Sequence, residues 1–282
     1  MLEYSLRPEG QVRIVSWNVS SFNSCEKKGL FKYLEVEQPD IVVLTETKVN
    51  EAPDMHPGLS AYPHRYWGID AKTKGYAGVA VFSKIKPLKA TIGMPLHPKE
   101  YNGRIITLEF SKHFLVGTYV TNAGEGLAKM SNKQQWNAAF AEYIKELDAQ
   151  KPVIWCGDLN VMLDQRDLSA PKKKWNKQPG YSKIECDAHR VLLEGKDRGE
   201  GRKLVDVWRV SHPDAVGHFT FYSFRGACRG KGIGWRLDSF IISERALGSD
   251  KSRAFVQQCE IRHEVYGPSD HVPVICDVLG PL

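Results

Sequence analysis

The chain has 282 residues, 42% hydrophobic and 26% charged, with a formal net charge of +6 and a sequence pI near 8.9. That is the composition of a water-soluble globular protein, and no uncharged apolar run approaches the ~18 residues a membrane span needs. The opening MLEYSLRPEG carries acids and a proline where a secretory leader has an apolar stretch, so no such leader is expected.

Along the chain, several apolar, β-branched runs stop abruptly at a polar residue. VRIVSWN ends at Asn18, and PDIVVLTETK carries Glu46 near its end. AGVAVFSK (Ala77 to Lys84) and RIITLEF (Arg104 to Phe110) read as further strands, and FLVGTYVTN ends near Tyr119 and Asn122. PVIWCGDLN ends at Asp158 and Asn160, WRLDSFIIS contains Asp238, and HVPVICDV follows directly on Asp270 and His271.

Three helices are legible between them. Lys28 to Glu37 puts Leu30, Phe31 and Leu34 on one face. Asn132 to Gln150 spaces Trp136, Phe140, Ile144 and Leu147 helically, with Ser131 as the expected cap and Gln134 in capping-box position. Cys186 to Gly195 is stopped by its glycine. With no linker and no repeat, the expectation is a short extension over residues 1–11 and a single α/β domain over 12–282. Six cysteines without CxxC spacing predict free thiols, no zinc site and a reducing, intracellular compartment.

Two stretches, Pro171 to Lys183 and Arg225 to Arg236, concentrate cations with aromatics and glycines and suit a phosphate backbone with stackable bases. If the polar strand ends converge, Glu46, Asp158, Asp238 and Asp270 form a carboxylate cluster beside Asn18, Asn122, Asn160, Tyr119 and His271. Clustered carboxylates need a positive partner, and an oxygen-rich set without thiolates favours Mg²⁺ or Mn²⁺. Such a site suits phosphoester hydrolysis better than acyl transfer. A triad of Ser269, His271 and Asp238 lacks the G-x-S-x-G elbow, and GKGIG at Gly230 to Gly234 lacks a Walker lysine and a following helix.

The ordered set SWNV, TETK, GYAGVAVFSK, TYVTNAGEGL, CGDLNV, GWRLD and SDHVPV resembles the exonuclease III family of abasic-site endonucleases, in its human-type branch, from about Val12 to Val278. The resemblance implies a four-layer α/β sandwich of two mixed sheets, DNase I-like. It implies Mg²⁺-dependent hydrolysis (Mn²⁺ substituting) of the phosphodiester 5′ to an abasic site in duplex DNA, with 3′-phosphodiesterase and 3′-5′ exonuclease side activities. The protein would act as a monomer off the membrane, in the nucleus of a eukaryote or otherwise in the cytoplasm.

By the same resemblance Glu46 and Asp270 are metal ligands, Asp158 orients or deprotonates the attacking water, and Asn160 holds it. His271, steered by Asp238, faces the phosphate. Asn18, Tyr119 and Asn122 add phosphate or water contacts, and Lys48 supports Glu46. Phe221, Trp235 and Leu237 form the pocket for a flipped-out sugar, and Arg225 reaches into or along the duplex. The chain departs from the family pattern at Ser20, near the metal, and at Thr45, Thr121, Glu125, Arg225 and Gly226. The competing expectations are a related phosphoesterase, such as a retroelement-type nicking endonuclease, and a catalytically silent DNA-binding module.

Overall fold

The computed structural model describes residues 4, 7–95, 97–199, 201–248 and 255–282, so part of the expected N-terminal extension lies outside the described residues. One six-stranded sheet runs in the order β11 (Val256–Ile261), β12 (Val274–Leu279), β1 (Gln11–Asn18), β2 (Ile41–Thr45), β4 (Val79–Ser83), β3 (His64–Gly68). The second runs β5 (Lys89–Ile92), β6 (Ile105–Glu109), β7 (Phe114–Tyr119), β8 (Val153–Asp158), β10 (Asp238–Ser243), β9 (Leu204–Asp206). Each sheet has one parallel pair at its centre, β1 with β2 and β7 with β8, and is otherwise antiparallel.

The near-continuous apolar runs are explained by strands buried on both faces. Ile14, Val43, Val81, Ile154, Cys156, Phe240 and Val274 fill the space between the sheets. Their neighbours in sequence point the other way. Val15, Trp17, Val42 and Leu44 meet Phe22 of α1 (Phe22–Lys27) and Leu30 and Leu34 of α2 (Leu30–Glu37). Val116, Val153 and Trp155 meet Trp136, Phe140 and Ile144 of α3 (Met130–Gln150) and Leu192 of α5 (Lys183–Glu194). Helix, sheet, sheet, helix is the expected four-layer sandwich. Two short helices, α4 (Pro171–Lys174) and α6 (Val207–Ser211), complete the set of α-helices among the described residues. None of the described helices is long and apolar enough to cross a membrane.

Three helix starts differ from expectation. α2 begins at Leu30 rather than Lys28, with left-handed Gly29 in the cap position. Ser131 does not cap α3: the helix begins at Met130, and Lys129 occupies the cap position without a side-chain bond. The chain enters from a 3₁₀ turn, Glu125–Leu127, with Lys129 N bonded to Ala123 O (2.7 Å), so no extended residue precedes the helix. α5 begins at Lys183 rather than Cys186, because Ser182 is a true cap. Its Oγ accepts from Glu185 N (3.4 Å) and donates to Glu185 Oε2 (2.6 Å). Gly195 closes that helix in the left-handed region, as read.

Candidate active site

Both sheets present the ends of their central strands at one edge. In the first, β1 ends at Asn18, β2 is followed by Glu46, and Asp270 and His271 precede β12. In the second, Tyr119, Asp158 and Asp238 lie abreast on β7, β8 and β10, since Asp158 is in register with each of the other two. Gly157 makes this close ranking possible. Its φ is +133°, and a Cβ there would lie 2.0 Å from Thr118 O.

Asn18, fully buried, bridges the sheets. Its Nδ2 donates to Glu46 Oε2 (3.0 Å) and Asp158 Oδ2 (2.9 Å), and its Oδ1 accepts from Ser20 N (2.8 Å). Ser20 Oγ donates to Asp270 Oδ1, which places Ser20 beside the carboxylate that the resemblance assigns to the metal. Lys48 Nζ lies 2.8 Å from Glu46 Oε1. Asp158 Oδ1 accepts from Asn160 N (3.0 Å), and Asn160 is fixed by Nδ2 donation to Val120 O (2.9 Å) and by Asn122 Nδ2 donating to its Oδ1 (2.8 Å). Ser20, Glu46, Lys48 and Asn160 all have φ between +46° and +56°. For Ser, Glu and Lys this left-handed backbone is strained, and clustering of such strain marks a functional edge.

His271 Nδ1 sits 2.7 Å from Asp238 Oδ2, both side chains buried. Asp238 is held from behind by Thr220, whose Oγ1 accepts from the backbone N–H of Leu237 (2.9 Å) and Asp238 (3.0 Å). Phe221 packs between His271 and Trp235, with ring centroids 4.8 and 5.2 Å away. A cleft of about 600 Å³ is lined by Ser20, Glu46, Lys48, Tyr119, Asn122, Asp158, Asn160, Phe221, Trp235, Leu237, Asp270 and His271. Asn18 and Asp238 lie behind its wall. Of the expected site residues, only Arg225 is set apart, exposed in a 3₁₀ turn outside the lining.

Residues 15–271 match the endonuclease/exonuclease/phosphatase family. The chain belongs to that family. It is 37% identical to a DNA-(apurinic or apyrimidinic site) endonuclease of Dictyostelium discoideum over 268 residues, 94% of this chain and 70% of that protein. It is 38% identical to an exodeoxyribonuclease of Bacillus subtilis over 265 residues, 93% of this chain and 98% of that one. Its structure matches that of an AP endonuclease from Leishmania major at a TM-score of 0.83 and 28% identity, covering 98% of this chain and 90% of the other. Within the family these relatives set the chain among the exonuclease III nucleases, hydrolytic enzymes that depend on a divalent metal.

The electrostatics of this nuclease edge follow from burial. Burial, and then the Asp238 carboxylate, push the Asp158 carboxyl up to about 7, against the His271 charge and the hydrogen bonds from Asn18 and Asn160. Burial alone would lower the His271 imidazole, but Asp238 overrides it and pushes the ring up to about 10. His271 is therefore an imidazolium near neutral pH, one N–H committed to Asp238 and the other available to the cleft. Burial, with Glu46 and Asp158 adding to it, raises the Tyr119 phenol well above its ordinary value, so Tyr119 is a hydrogen-bond donor.

The donor set fits a hard divalent cation. Glu46 and Asp270 supply carboxylate oxygens to one cleft, Ser20 supplies a hydroxyl, and no thiolate lines it. Among the described residues no group of three or more His, Cys, Asp and Glu has metal-ligand spacing. Two carboxylates suit an ion that keeps several waters and borrows phosphate oxygens.

Sequence reasoning passed over several contributors. Lys177, Gln178, Pro179 and Met162 line the cleft, and Lys174 Nζ stands 4.3 Å above the Trp235 ring. The basic stretch Pro171 to Lys183 pointed to this wall without singling out those residues. Thr220, in HFTFYS, carried no signal beyond a strand-like pattern.

Proposed function

We propose that this protein hydrolyses the phosphodiester 5′ to an abasic deoxyribose in duplex DNA, leaving a 3′-hydroxyl, with Mg²⁺ as its metal and Mn²⁺ as a substitute. The observation that carries this reading is one cleft holding three things at once. A buried carboxyl, Asp158, stands beside the His271–Asp238 pair, joined Nδ1 to Oδ2 at 2.7 Å, and an apolar wall of Phe221, Trp235 and Leu237.

In the proposed reaction Asp158 takes a proton from water held with Asn160, the water oxygen bonds to phosphorus, and the P–O3′ bond breaks as the leaving oxygen gains a proton from solvent water. A base with a pKa near the working pH is well matched to this step. His271 and the Tyr119 hydroxyl donate to the phosphate oxygens as charge develops, and Asn122 and Asn18 hold Asn160, Glu46 and Asp158 in place. A divalent ion held by Glu46 and Asp270 supplies Lewis-acid polarisation of the phosphate when bound. The apolar wall accepts a sugar without its base. The cleft is complete within one chain, which supports a monomer. Residues 12–282 are read as one catalytic domain, and six unpaired thiols fit a reducing intracellular compartment.

A labelled duplex with one abasic analogue, incubated with the protein with and without Mg²⁺, tests this directly. Metal-dependent incision on the 5′ side is expected. Binding without incision would support the silent DNA-binding module, and nicking of intact duplex the related phosphoesterase.

Two further results are expected at this site. Ser20→Asp places a carboxylate against Asp270, where Ser20 now donates a neutral hydroxyl. The metal titration should shift to lower Mg²⁺ while rates at saturating metal change less, because added carboxylates raise cation affinity. Overlaid titrations for Ser20→Asp and Ser20→Ala would remove position 20 from the metal's surroundings. Trp235→Ala should erode the preference for abasic over intact duplex, while non-specific affinity, set by phosphate contacts, changes little. An unchanged preference in a destabilised protein would make Trp235 a packing residue only.

A further inference from the structure

We infer that Lys133, which lies outside the cleft lining, is a positioning residue that holds the Asp158–Asn160 turn in its reactive geometry and joins it to the cleft wall. The inference rests on reading Asp158 and Asn160 as the groups that activate and hold the water. Lys133 lies in the first turns of α3 and is 1% exposed. Its Nζ lies 3.3 Å from each of the carbonyl oxygens of Leu159 and Asn160, the two residues following Asp158.

A buried ammonium is costly, and here its hydrogen bonds go to main-chain carbonyls rather than to a carboxylate. Packing alone gives no reason for a charge in that place, which an apolar side chain would fill at lower cost. The turn above it does give a reason. Asn160 is left-handed (φ +46°), and its side chain and N–H are held by Val120 O, Asn122 and Asp158. Lys133 holds the main-chain carbonyls of the same turn, so both its side-chain and its carbonyl groups are tied down.

The clamp extends to the wall. Glu185, the anion with the largest field at Lys133, accepts from Gly180 N (3.0 Å to each oxygen) and Ser182 Oγ (2.6 Å). Gly180 O in turn accepts from Met162 N (2.8 Å), and a Cβ on Gly180 would lie 3.1 Å from Asn160 O. The carbonyl that Lys133 holds is thus the one against which the wall packs, and Lys177, Gln178 and Pro179 of that wall line the cleft. Burial lowers the Lys133 ammonium to about 8, with Glu185 and Asp158 opposing, so it is charged at neutral pH. A positive charge behind Asp158 also favours the carboxylate form that a base needs.

The test compares Lys133→Met, which keeps length but loses charge and donors, with Lys133→Arg, which keeps both. A cavity of about 450 Å³ lined by Lys133, Trp136, Phe140 and Trp155 leaves room for a guanidinium. Single-turnover incision at saturating Mg²⁺ should fall about 10- to 100-fold in Lys133→Met, the scale of a small misplacement, with DNA affinity unchanged, and Lys133→Arg should restore most of the rate. An unchanged rate in Lys133→Met, a loss of rate and affinity together in step with thermal stability, or an arginine variant no better than methionine would overturn the inference. If Lys133→Met does not fold, Lys133→Gln takes its place: a slowed rate at intact affinity supports a charged clamp, and a wild-type rate overturns it. Asp158→Asn in the same assay separates the two readings. Its retaining full rate would sink the water-activating role and this inference together. Its collapse, beside an active Lys133→Met, would sink the positioning role alone.

Discussion

Asp158→Asn should lose at least ~10²-fold in turnover, the usual scale for removing a general base, while binding DNA as tightly as before or more tightly. Asp158 is 2% exposed and stands between Tyr119 and Asp238 in register. Both of its oxygens accept hydrogen bonds, from Asn160 N and from Asn18 Nδ2. An asparagine amide can accept only one of these, so one buried N–H is left facing the amide nitrogen, a cost of about 1–3 kcal/mol. That loss is too small to unfold the protein, and thermal stability serves as the control. Removing an anion near the phosphate accounts for the retained or tighter binding.

The pH profile carries a second sign of the same role. With its carboxyl at about 7, Asp158 in the wild type gains a proton as the pH falls through that value, so turnover should drop on the acid side. Cation binding at Glu46 and Asp270 moves that limb to lower pH. The residual activity of Asp158→Asn should lack it. A variant that cleaves within a factor of a few of wild type, or keeps the acid limb, places the base elsewhere.

How much of this edge the sequence disclosed depended on which scale set each feature. The central strands were legible because burial on both faces writes long apolar runs, and the residues that end them (Asn18, Asp158, Asp270) stood out by chemistry. Four strands escaped. β5 is an exposed edge of four residues, β9 has three residues, and β3 (HRYWG) and β11 (VQQCEI) are edges with polar residues in the run, so only the neighbouring strand makes them strands. The S-x-x-E pattern at Ser182 and Glu185 marks the true start of α5, whereas Ser131 satisfies the same type of pattern without capping. The difference lies in the preceding backbone, extended at Ser182 and already turning at Lys129.

Within the site, side-chain type pointed to the acids and the imidazole but not to what holds them. Nothing local announces left-handed Ser20, Glu46 and Lys48, because no glycine marks the turns. Thr220 and Lys133 act on residues 17 and 26 or more positions away, contacts that only the assembled sheets create. Arg225 is a different case. Its expected contact is with the duplex rather than with the cleft, and the fold leaves it exposed in a 3₁₀ turn outside the cleft lining, a position compatible with that contact.

Asp238→Asn is the more selective substitution, because it can remove the charge and keep the bond. The amide oxygen can accept from His271 Nδ1–H as Oδ2 does now at 2.7 Å, and the amide nitrogen would take the place of Oδ1, which is buried without a partner. Thr220 would still hold the backbone at this position. What changes is the imidazole. Burial pushes His271 down and Asp238 holds it near 10, so without that anion only Asp158 and Asp270 oppose burial. The ring should then be neutral near pH 8, unable to stabilise charge on the phosphate, and turnover there should fall at least ~10²-fold.

Two measurements separate this from general damage. The wild type should stay active on the alkaline side until pH approaches 10, whereas the variant's alkaline limb should move down by pH units and part of its rate should return as the pH is lowered. Stability should follow the same charge. A folded pKa raised above the ordinary value of about 6.5 contributes stability in full below that pH and loses it as pH rises through the folded value. The stability difference between wild type and Asp238→Asn should therefore be largest in mild acid and shrink towards pH 10. A variant with an unshifted alkaline limb and a pH-independent stability difference would mean that Asp238 orients His271 without charging it.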